Sequence, residues 1–229
     1  MTMDYYESDS PPAGVAEGES LTVEQAIANL HSQDYSLRYY AAWWVGRFRV
    51  KEPAAIAALI AALQEESEQT KIGDYSLLRN AARALGKLGD KQALPALIRC
   101  LECADYYVRE AAAQALEMLG EIDSIGPLMK LLDGGSVAAV RVPGKSHLVQ
   151  PYDSVIEALG TLQATEAIPL ISPFLEHSVE RVQYAAARAM YQLTGERVYG
   201  ERLVSALKGD NLQLRRSAIC RERKLFLRL

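Results

Sequence analysis

The segment YSLLRNAARALG, residues 75–86, decides the fold because its pattern returns four more times along the chain. The pattern starts with aromatic or polar residues and continues with arginine or another polar residue. A pair of small residues, then leucine and often glycine, complete most copies. The other copies are YSLRYYAAWWVG (35–46), YYVREAAAQALE (106–117), PYDSVIEALG (151–160) and ERVQYAAARAMY (180–191). A pattern that recurs every ~20 to 50 residues predicts a repeat protein.

The spacing of the copies gives the length of the repeat. Their last positions are Gly46, Gly86, Glu117, Gly160 and Tyr191, which are 40, 31, 43 and 31 residues apart. A unit of 31 residues, with insertions of 9 and 12, accounts for these four distances. The larger insertion falls in DGGSVAAVRVPGKSHLVQP, residues 133–151, and the segment NLQLRRSAI (211–219) starts a sixth copy.

Each unit also contains an earlier apolar segment with leucine or isoleucine at helical spacing. These segments are PAAIAALIAAL (53–63), ALPALIRCL (93–101), SIGPLMKLL (124–132) and AIPLISPFL (167–175). Proline opens them or lies in their first turn, where its missing N–H costs little. Two helices per unit of about 30 residues predict an all-α, HEAT-like α-solenoid of about five to six helix pairs. Alanine pairs such as Ala81-Ala82 should let neighbouring second helices approach closely.

Composition excludes several classes of protein. The 229 residues include 29 acidic and 25 basic side chains, for a formal net charge of −4. A general nucleic-acid surface needs a basic excess to displace counterions, so we expect no nucleic-acid partner. No apolar run approaches the ~20 residues of a membrane-spanning helix, so we expect no membrane span. Three cysteines and no secretory signal segment indicate the cytoplasm, a reducing compartment.

The ends of the chain differ from the repeats. Residues 1–20 are acidic and rich in serine, proline and glycine, which predicts a disordered arm. Residues 21–219 form the predicted HEAT-like repeat domain. The sequence CRERKLFLRL at 220–229 has neither an alanine pair nor Leu-Gly, so it is predicted to be a divergent C-terminal tail.

Motifs for cofactor and metal chemistry are weak. AVRVPGKS (139–146) resembles a phosphate-binding loop, but Ala139 stands where that motif requires glycine. Cys100 and Cys103 have no second cysteine pair, so we expect buried thiols rather than a metal or redox site. None of the three histidines is followed by glutamate, and no two share a helical turn. We therefore expect no metal and no protein-bound cofactor.

Arginine and tyrosine recur on the predicted second helices. Arginine binds carboxylates through two parallel hydrogen bonds, and aromatic faces stack on flat conjugated molecules. The combination suits a planar ligand that carries carboxylates, although many of these arginines could instead pair with acids such as Glu110 and Glu180. The residues are Arg38, Arg47, Arg79, Arg83, Arg109, Arg181 and Arg188, with Tyr39, Tyr40, Tyr75, Tyr106, Tyr107, Tyr152 and Tyr184.

Several segments resemble the E subunit of the E/F-type phycobilin lyases, in particular the enzymes that act on the phycocyanin α subunit. They are LRYYAAWWVGRFRV, the run from LLRNAARALGKLGD to QALEMLG, QPYDSVIEALGTLQATEAIPLI and RVQYAAARAMYQLTGERVYGERLV. The resemblance covers roughly residues 21–219. It implies a heterodimer with a HEAT-like F subunit and thioether attachment of phycocyanobilin, the substrate, to a cysteine of the phycocyanin α subunit. The alternative is a non-enzymatic HEAT-repeat scaffold or chaperone that docks phycobiliproteins.

A bilin is a conjugated tetrapyrrole with two propionates, which matches the arginine and tyrosine surface. Positions 40, 43, 44 and 47 share one face of a helix, so we expect a ring there to stack on the tetrapyrrole while Arg38 or Arg47 pairs a propionate. The aromatics of this segment could instead cap the exposed end of the first repeat or contact the F subunit. The predicted bilin-binding residues are Arg38, Tyr40, Trp43, Trp44, Arg47, Arg79, Arg109, Tyr152 and Tyr184.

Two further groups of residues complete the predicted site. The acceptor protein supplies the nucleophilic thiol, so an acid on the lyase, Asp153 or Glu157, is expected to keep the pyrrole nitrogens protonated. The insertion at 133–151 is expected to fold over the bilin or the acceptor, with Arg141, Lys145 or His147 reaching inward. The alternative for the insertion is a flexible surface loop.

Overall fold

The computed structural model describes residues 21–65 and 68–208. The predicted arm at 1–20, the sixth copy at 211–219 and the tail at 220–229 lie outside the described residues. Throughout the described ranges the regular elements are helices, apart from one isolated β-bridge between Arg141 and Leu148. Contacts divide the chain after Leu119 into two compact units, and each is described by itself.

The first unit consists of helix pairs. Its helices are α1 (Val23–Leu30), α2 (Tyr35–Phe48), α3 (Pro53–Gln64), α4 (Glu68–Lys71), α5 (Ser76–Leu88), α6 (Leu94–Cys100) and α7 (Tyr106–Leu119). Helices α1 and α2, α3 and α5, and α6 and α7 pack in pairs, and α5 lies between α2 and α7. The second helix of each pair coincides with a copy of the repeat pattern.

The second unit continues the same plan with an insertion. Its helices are α8 (Ile125–Lys130), α9 (Gly135–Ala138), α10 (Tyr152–Thr161), α11 (Ile168–Ile171), α12 (Glu180–Thr194) and α13 (Arg197–Lys208). A 3₁₀ segment, Ser172–Glu176, extends α11, and α10 and α11 both pack against α12. Helix α13 packs on α12 and is the last element of the described residues. The predicted all-α, HEAT-like fold of five to six helix pairs is confirmed.

An aspartate precedes the second helix of each pair in the first unit. Its carboxylate accepts a backbone N–H of the first turn, from Ser36 at 2.8 Å, Ser76 at 3.0 Å and Val108 at 2.9 Å. Such caps satisfy donors that have no partner within the helix. The Tyr35 hydroxyl then links two repeats, because it accepts the Leu77 N–H at 2.9 Å and donates to the Asp74 carbonyl at 3.3 Å. In the first unit the aspartates therefore fix where the second helices begin, and Tyr35 joins two neighbouring repeats.

Glycine near the end of the pattern sets how closely second helices pack. A Cβ atom added to Gly86 would lie 2.7 Å from the Ala115 Cα, and one added to Gly160 would lie 2.7 Å from the Ala189 Cα. Gly46 meets Ala84 in the same way at 2.9 Å. No side chain fits at such distances from backbone. The close approach predicted from the alanine pairs thus depends equally on a glycine in the facing helix.

Helix α10 differs from the other second helices in its burial. Every residue from Pro151 to Gly160 is buried, including the polar side chains of Asp153, Ser154 and Glu157. On α2 and α5, in contrast, a stripe of side chains remains partly or fully exposed.

No helix within the described residues is long and apolar enough to cross a membrane.

Candidate functional site

The aromatic cluster of α2 divides into a core half and a surface half. Trp44 is only 6% exposed and packs on Phe48, with ring centroids 4.8 Å apart. Trp43 is partly exposed and stacks on Tyr40, with centroids 5.6 Å apart and planes inclined by 20°. The adjacent tryptophans therefore have different surroundings. Tyr40 and Trp43 together offer a flat aromatic surface to a ligand.

A cationic stripe lies on α5, next to α2. Arg79, Arg83 and Lys87 follow one another at intervals of four residues, which places them on one face of the helix. The Arg79 guanidinium lies 5.6 Å from the centroid of the Tyr107 ring on α7, and one of its nitrogens donates to Ser76 Oγ at 3.1 Å. A cation above a ring and fixed by a hydrogen bond is held in a defined position.

The partly exposed faces of α2, α5 and α7 lie side by side in the first unit, and we call the residues on them the inner stripe. Their side chains combine rings with an excess of positive charge. The inner stripe comprises Tyr40, Trp43 and Arg47 on α2, Arg79, Arg83 and Lys87 on α5, and Tyr107, Gln114 and Glu117 on α7. Lys87 is absent from the residues proposed from the sequence, although its spacing from Arg83 placed it on the same face.

Two of the predicted arginines are engaged elsewhere in the first unit. Arg38 pairs with both carboxylate oxygens of Glu65 at the end of α3, and its Nε donates to the Leu30 carbonyl at 3.2 Å. This pairing lowers the pKa of the Glu65 carboxyl. Arg109 donates to the carbonyls of Cys103 at 2.6 Å and Ala104 at 2.9 Å, which fixes the turn before α7. Both guanidinium groups connect elements of the fold.

The predicted acids lie on α10 in the second unit. Asp153 Oδ2 accepts from Arg181 Nε at 2.8 Å, while Oδ1 is shielded from solvent and accepts no hydrogen bond from the described residues. Glu157 lies one turn further along the helix and is 7% exposed. A buried carboxylate oxygen that lacks a donor is costly unless a ligand or a rearrangement supplies one. Asp153 is therefore the acid with capacity for a further N–H donor.

The two predicted tyrosines of the second unit are core residues. Tyr152 is 1% exposed and packs against Phe174, with centroids 5.3 Å apart. Burial raises the pKa of its phenol, so the hydroxyl stays neutral at physiological pH. Tyr184 packs with Ala187 and Leu203 between α12 and α13. Both rings therefore pack in the interior of the second unit.

The insertion forms an ordered β-hairpin rather than an irregular loop. The Val149 N–H donates to the Val140 carbonyl at 3.0 Å and the Val142 N–H to the His147 carbonyl at 3.1 Å. Arg141 and Lys145 are exposed. The His147 ring is half-buried, with its Nδ1 2.8 Å from the Leu148 carbonyl oxygen. The three predicted loop residues thus lie together on one hairpin.

The two described thiols are poor nucleophiles. Burial is the main cause that raises the pKa of Cys100 to about 12, and burial also raises that of Cys103. Both therefore stay protonated at neutral pH, and only the thiolate attacks carbon. They border an open depression at the ends of α3 and α6 that no predicted site residue lines. Within the part of the chain that the structure describes, no three histidine, cysteine or acidic residues are grouped to hold a metal ion.

Comparisons with known proteins agree on one group. The family model for HEAT repeats matches residues 68–142 and 153–222, and the model for the PBS lyase HEAT-like repeat matches residues 37–65. The chain is 65% identical over 202 residues to phycocyanobilin lyase subunit alpha of Nostoc sp. PCC 7120, covering 88% of this chain and 73% of that protein. It is 62% identical over 199 residues to the protein of the same name from Synechocystis sp. PCC 6803, covering 86% and 73%.

A solved structure extends the similarity to three dimensions. The complex of CpcE and CpcF of phycocyanin lyase from Nostoc sp. PCC7120 contains a chain that superposes with a TM-score of 0.85. The two sequences are 65% identical, and the match covers 90% of this chain and 77% of the other. The sequence match and the structural match therefore cover nearly the same part of this chain.

Proposed function

The chain belongs to the family of phycocyanobilin lyase alpha subunits, and we propose that it is the E-type subunit of a bilin lyase. With an F-type subunit it attaches phycocyanobilin through a thioether to a cysteine of the phycocyanin α subunit. The observation that carries the proposal is the 65% identity over 88% of the chain, together with the TM-score of 0.85 to a chain of the CpcE–CpcF complex. The same observation favours a lyase over a non-enzymatic scaffold.

The reaction needs a thiol, an acid and an ordered bilin, but no oxidant. The acceptor sulfur forms a bond to the ethylidene carbon of the bilin, whose double bond opens while the thiol hydrogen moves to the neighbouring ring carbon. No group leaves, so phycocyanobilin is the substrate and we propose no protein cofactor. The raised pKa values of Cys100 and Cys103 support a mechanism in which the acceptor supplies the sulfur.

We assign bilin binding to the inner stripe. Tyr40 and Trp43 are stacked already, so a pyrrole ring can extend the stack without ordering new side chains. Arg47 and Arg79 lie on the same surface and suit the two propionates, since guanidinium binds carboxylate through two parallel hydrogen bonds. Arg38 would have to release Glu65 first, and Trp44 lies in the core, where it packs on Phe48.

In the second unit, considered by itself, we propose Asp153 as the acid, with Glu157 as the second candidate. An ionised carboxylate that accepts pyrrole N–H groups favours the protonated tetrapyrrole, which makes the ethylidene carbon more electrophilic. Arg181 Nε donates to Oδ2, while Oδ1 has no hydrogen-bond donor among the described residues. Because Oδ1 is shielded, the assignment requires neighbouring side chains to move when the bilin binds.

Four components test the proposed function: this chain, an F-type subunit, phycocyanobilin and the apo phycocyanin α subunit. The expected product is an acceptor that retains zinc-induced fluorescence after denaturation and shows the absorbance of attached phycocyanobilin. Omission of either lyase subunit should abolish the product. Co-purification of the chain with the acceptor, without an adduct, would establish a scaffold instead. We place this reaction in the cytoplasm, where reducing conditions keep the acceptor thiol available.

A further inference from the structure

We infer that the hairpin at residues 140–149 is a docking finger for a carboxylate-bearing surface on the acceptor protein. The inference rests on the proposed function, because it assigns the element that meets the protein substrate. The sequence left two possibilities for what the insertion folds over, the bilin or the acceptor, and the inference commits to the acceptor. The geometry, charge and attachment of the hairpin each support it.

The tip of the finger is a defined turn. Pro143 and Gly144 occupy its central positions, Gly144 has a φ of +74°, and the Lys145 N–H donates to the Val142 carbonyl at 3.0 Å. Proline followed by a residue with positive φ is the signature of a type II turn. Arg141 Nη1 donates to the Ser146 carbonyl at 3.1 Å across the hairpin. The tip is therefore ordered before any partner arrives, which lowers the entropy cost of binding.

The base of the finger is fixed by a buried histidine. His177 is 7% exposed, and its Nδ1 accepts the Val179 N–H at 3.1 Å. Since Nδ1 is an acceptor, the proton of the neutral ring lies on Nε2, which donates to the Ala139 carbonyl at 2.9 Å. Helix α9 also packs against the 3₁₀ segment that ends beside His177. The hairpin thus extends from an anchored base.

The exposed part of the finger combines two cations with one apolar side chain, Val140, and a second exposed valine, Val137, precedes it on α9. Val137 is 88% exposed and Val140 is 56% exposed. Neither Arg141 nor Lys145 has a carboxylate partner among the described residues. From Gly134 to Tyr152 the chain has no acidic residue, although its net charge is −4. The finger is therefore a positive feature on an acidic chain.

These properties favour the acceptor over the other two possible occupants. A bilin needs a concave site that buries most of its surface, and the finger tip is exposed. A stable heterodimer needs a broad, largely apolar interface, whereas the finger offers a narrow one with charges at its edge. Exposed charges mainly steer association and set its salt dependence, which suits a protein substrate that must bind and leave in every cycle.

The test is the double charge reversal Arg141→Glu/Lys145→Glu. The matched control, Lys51→Glu/Lys130→Glu, makes the same change in net charge at two exposed lysines outside the finger. For each variant with its F-type partner we would measure heterodimer formation, bilin binding without acceptor, and transfer rate against acceptor concentration at two salt concentrations. We expect the finger variant to raise the KM for the acceptor about tenfold with kcat within about twofold, and to lose most of its salt dependence.

Each other result overturns the inference. If the KM for the acceptor is unchanged, or rises equally in the control variant, the finger does not contribute to acceptor binding. Loss of bilin binding would make it a bilin lid, and loss of the heterodimer would place it at the F-subunit interface. If the wild-type pair forms no adduct at all, the proposed function fails. The finger is then tested separately, by direct binding of the acceptor to the wild-type and variant heterodimers.

Discussion

Helices α2 and α10 are copies of one repeat pattern, yet they hold their arginine–carboxylate pairs differently. In the Arg38–Glu65 pair both carboxylate oxygens accept from the guanidinium, and the pair closes the end of α3. In the Asp153–Arg181 pair one oxygen is engaged and the other accepts nothing from the described residues. A pair in which both carboxylate oxygens are engaged stabilises the fold, whereas a buried carboxylate with one oxygen engaged keeps capacity for a ligand. The rings of α2 show the same division, with Trp44 in the core and Trp43 at the surface.

The largest expected effect on stability separates the two tryptophans. Trp44→Ala should lower the free energy of unfolding by about 3–5 kcal/mol, because it empties a site in the core. Trp43→Ala should cost about 1 kcal/mol, because that ring is partly exposed. It should weaken bilin binding between about two- and tenfold, through the loss of one stacked ring.

Urea unfolding of the two variants, with bilin titration of each heterodimer, checks the division between the tryptophans. Equal destabilisation by both substitutions would contradict it, and so would a Trp43→Ala variant with unchanged bilin binding. A stable Trp43→Ala variant that no longer associates with the F-type subunit would instead place Trp43 at the heterodimer interface.

The second prediction compares the two ion pairs directly. Asp153→Asn should lower kcat for bilin transfer about 100-fold, because the amide cannot hold a protonated pyrrole as a carboxylate does. Glu65→Gln removes the Arg38–Glu65 pair and should leave kcat unchanged. Single-turnover transfer, with circular dichroism of both variants, gives the result. If Asp153→Asn transfers at the wild-type rate, Asp153 is not the acid. Either Glu157 has that role or no residue of α10 has it.

Most of the fold could be predicted from the sequence, because the repeat period indicates the number and the approximate positions of the helices. The second helices lie close to the copies of the pattern, with aspartate caps in the first unit and close glycine–alanine contacts in both units. The stripe of Tyr40, Trp43 and Arg47 followed from helical periodicity alone. Spacing could not decide which tryptophan enters the core, because adjacent residues differ by only about 100° around a helix.

Other features depend on partners that are distant in sequence. Glu65 lies 27 residues after Arg38, so no local pattern revealed their pairing. The free oxygen of Asp153 depends on the packing of α12 against α10. The hairpin at 140–149 contains a single isolated β-bridge, too little for an alternating pattern, although Pro143-Gly144 was a turn signal within the quoted insertion. Its attachment to His177 spans 38 residues and could be found only in the structure.

The third prediction tests whether close helix packing is equally strict in both units. Gly86→Ala and Gly160→Ala should each lower the free energy of unfolding by about 1–3 kcal/mol, because the new methyl group meets the backbone of the next second helix. Gly126→Ala is the control, since nothing lies within 4 Å of its added Cβ. Thermal and urea unfolding measure all three. If only one of the two substitutions lowers the free energy of unfolding, the second helices of the other unit shift to accommodate the added methyl group.

The smallest expected effect concerns the Arg38–Glu65 pair and its pH dependence. The side-chain hydrogen bonds from Arg38 lower the pKa of Glu65, so the folded protein releases this proton more readily than the unfolded chain. The contribution of the pair is therefore fully present above the ordinary carboxyl pKa and is lost as the pH falls through the lowered value in the folded state. Glu65 is 43% exposed, which limits that contribution to about 0.5–1 kcal/mol in low salt. Unfolding free energies of wild type and Glu65→Gln should differ by this amount at pH 7 and converge as the solution is acidified. A difference that persists in acid would mean that Glu65 acts through packing rather than charge, and the contrast with Asp153 would then lose its electrostatic basis.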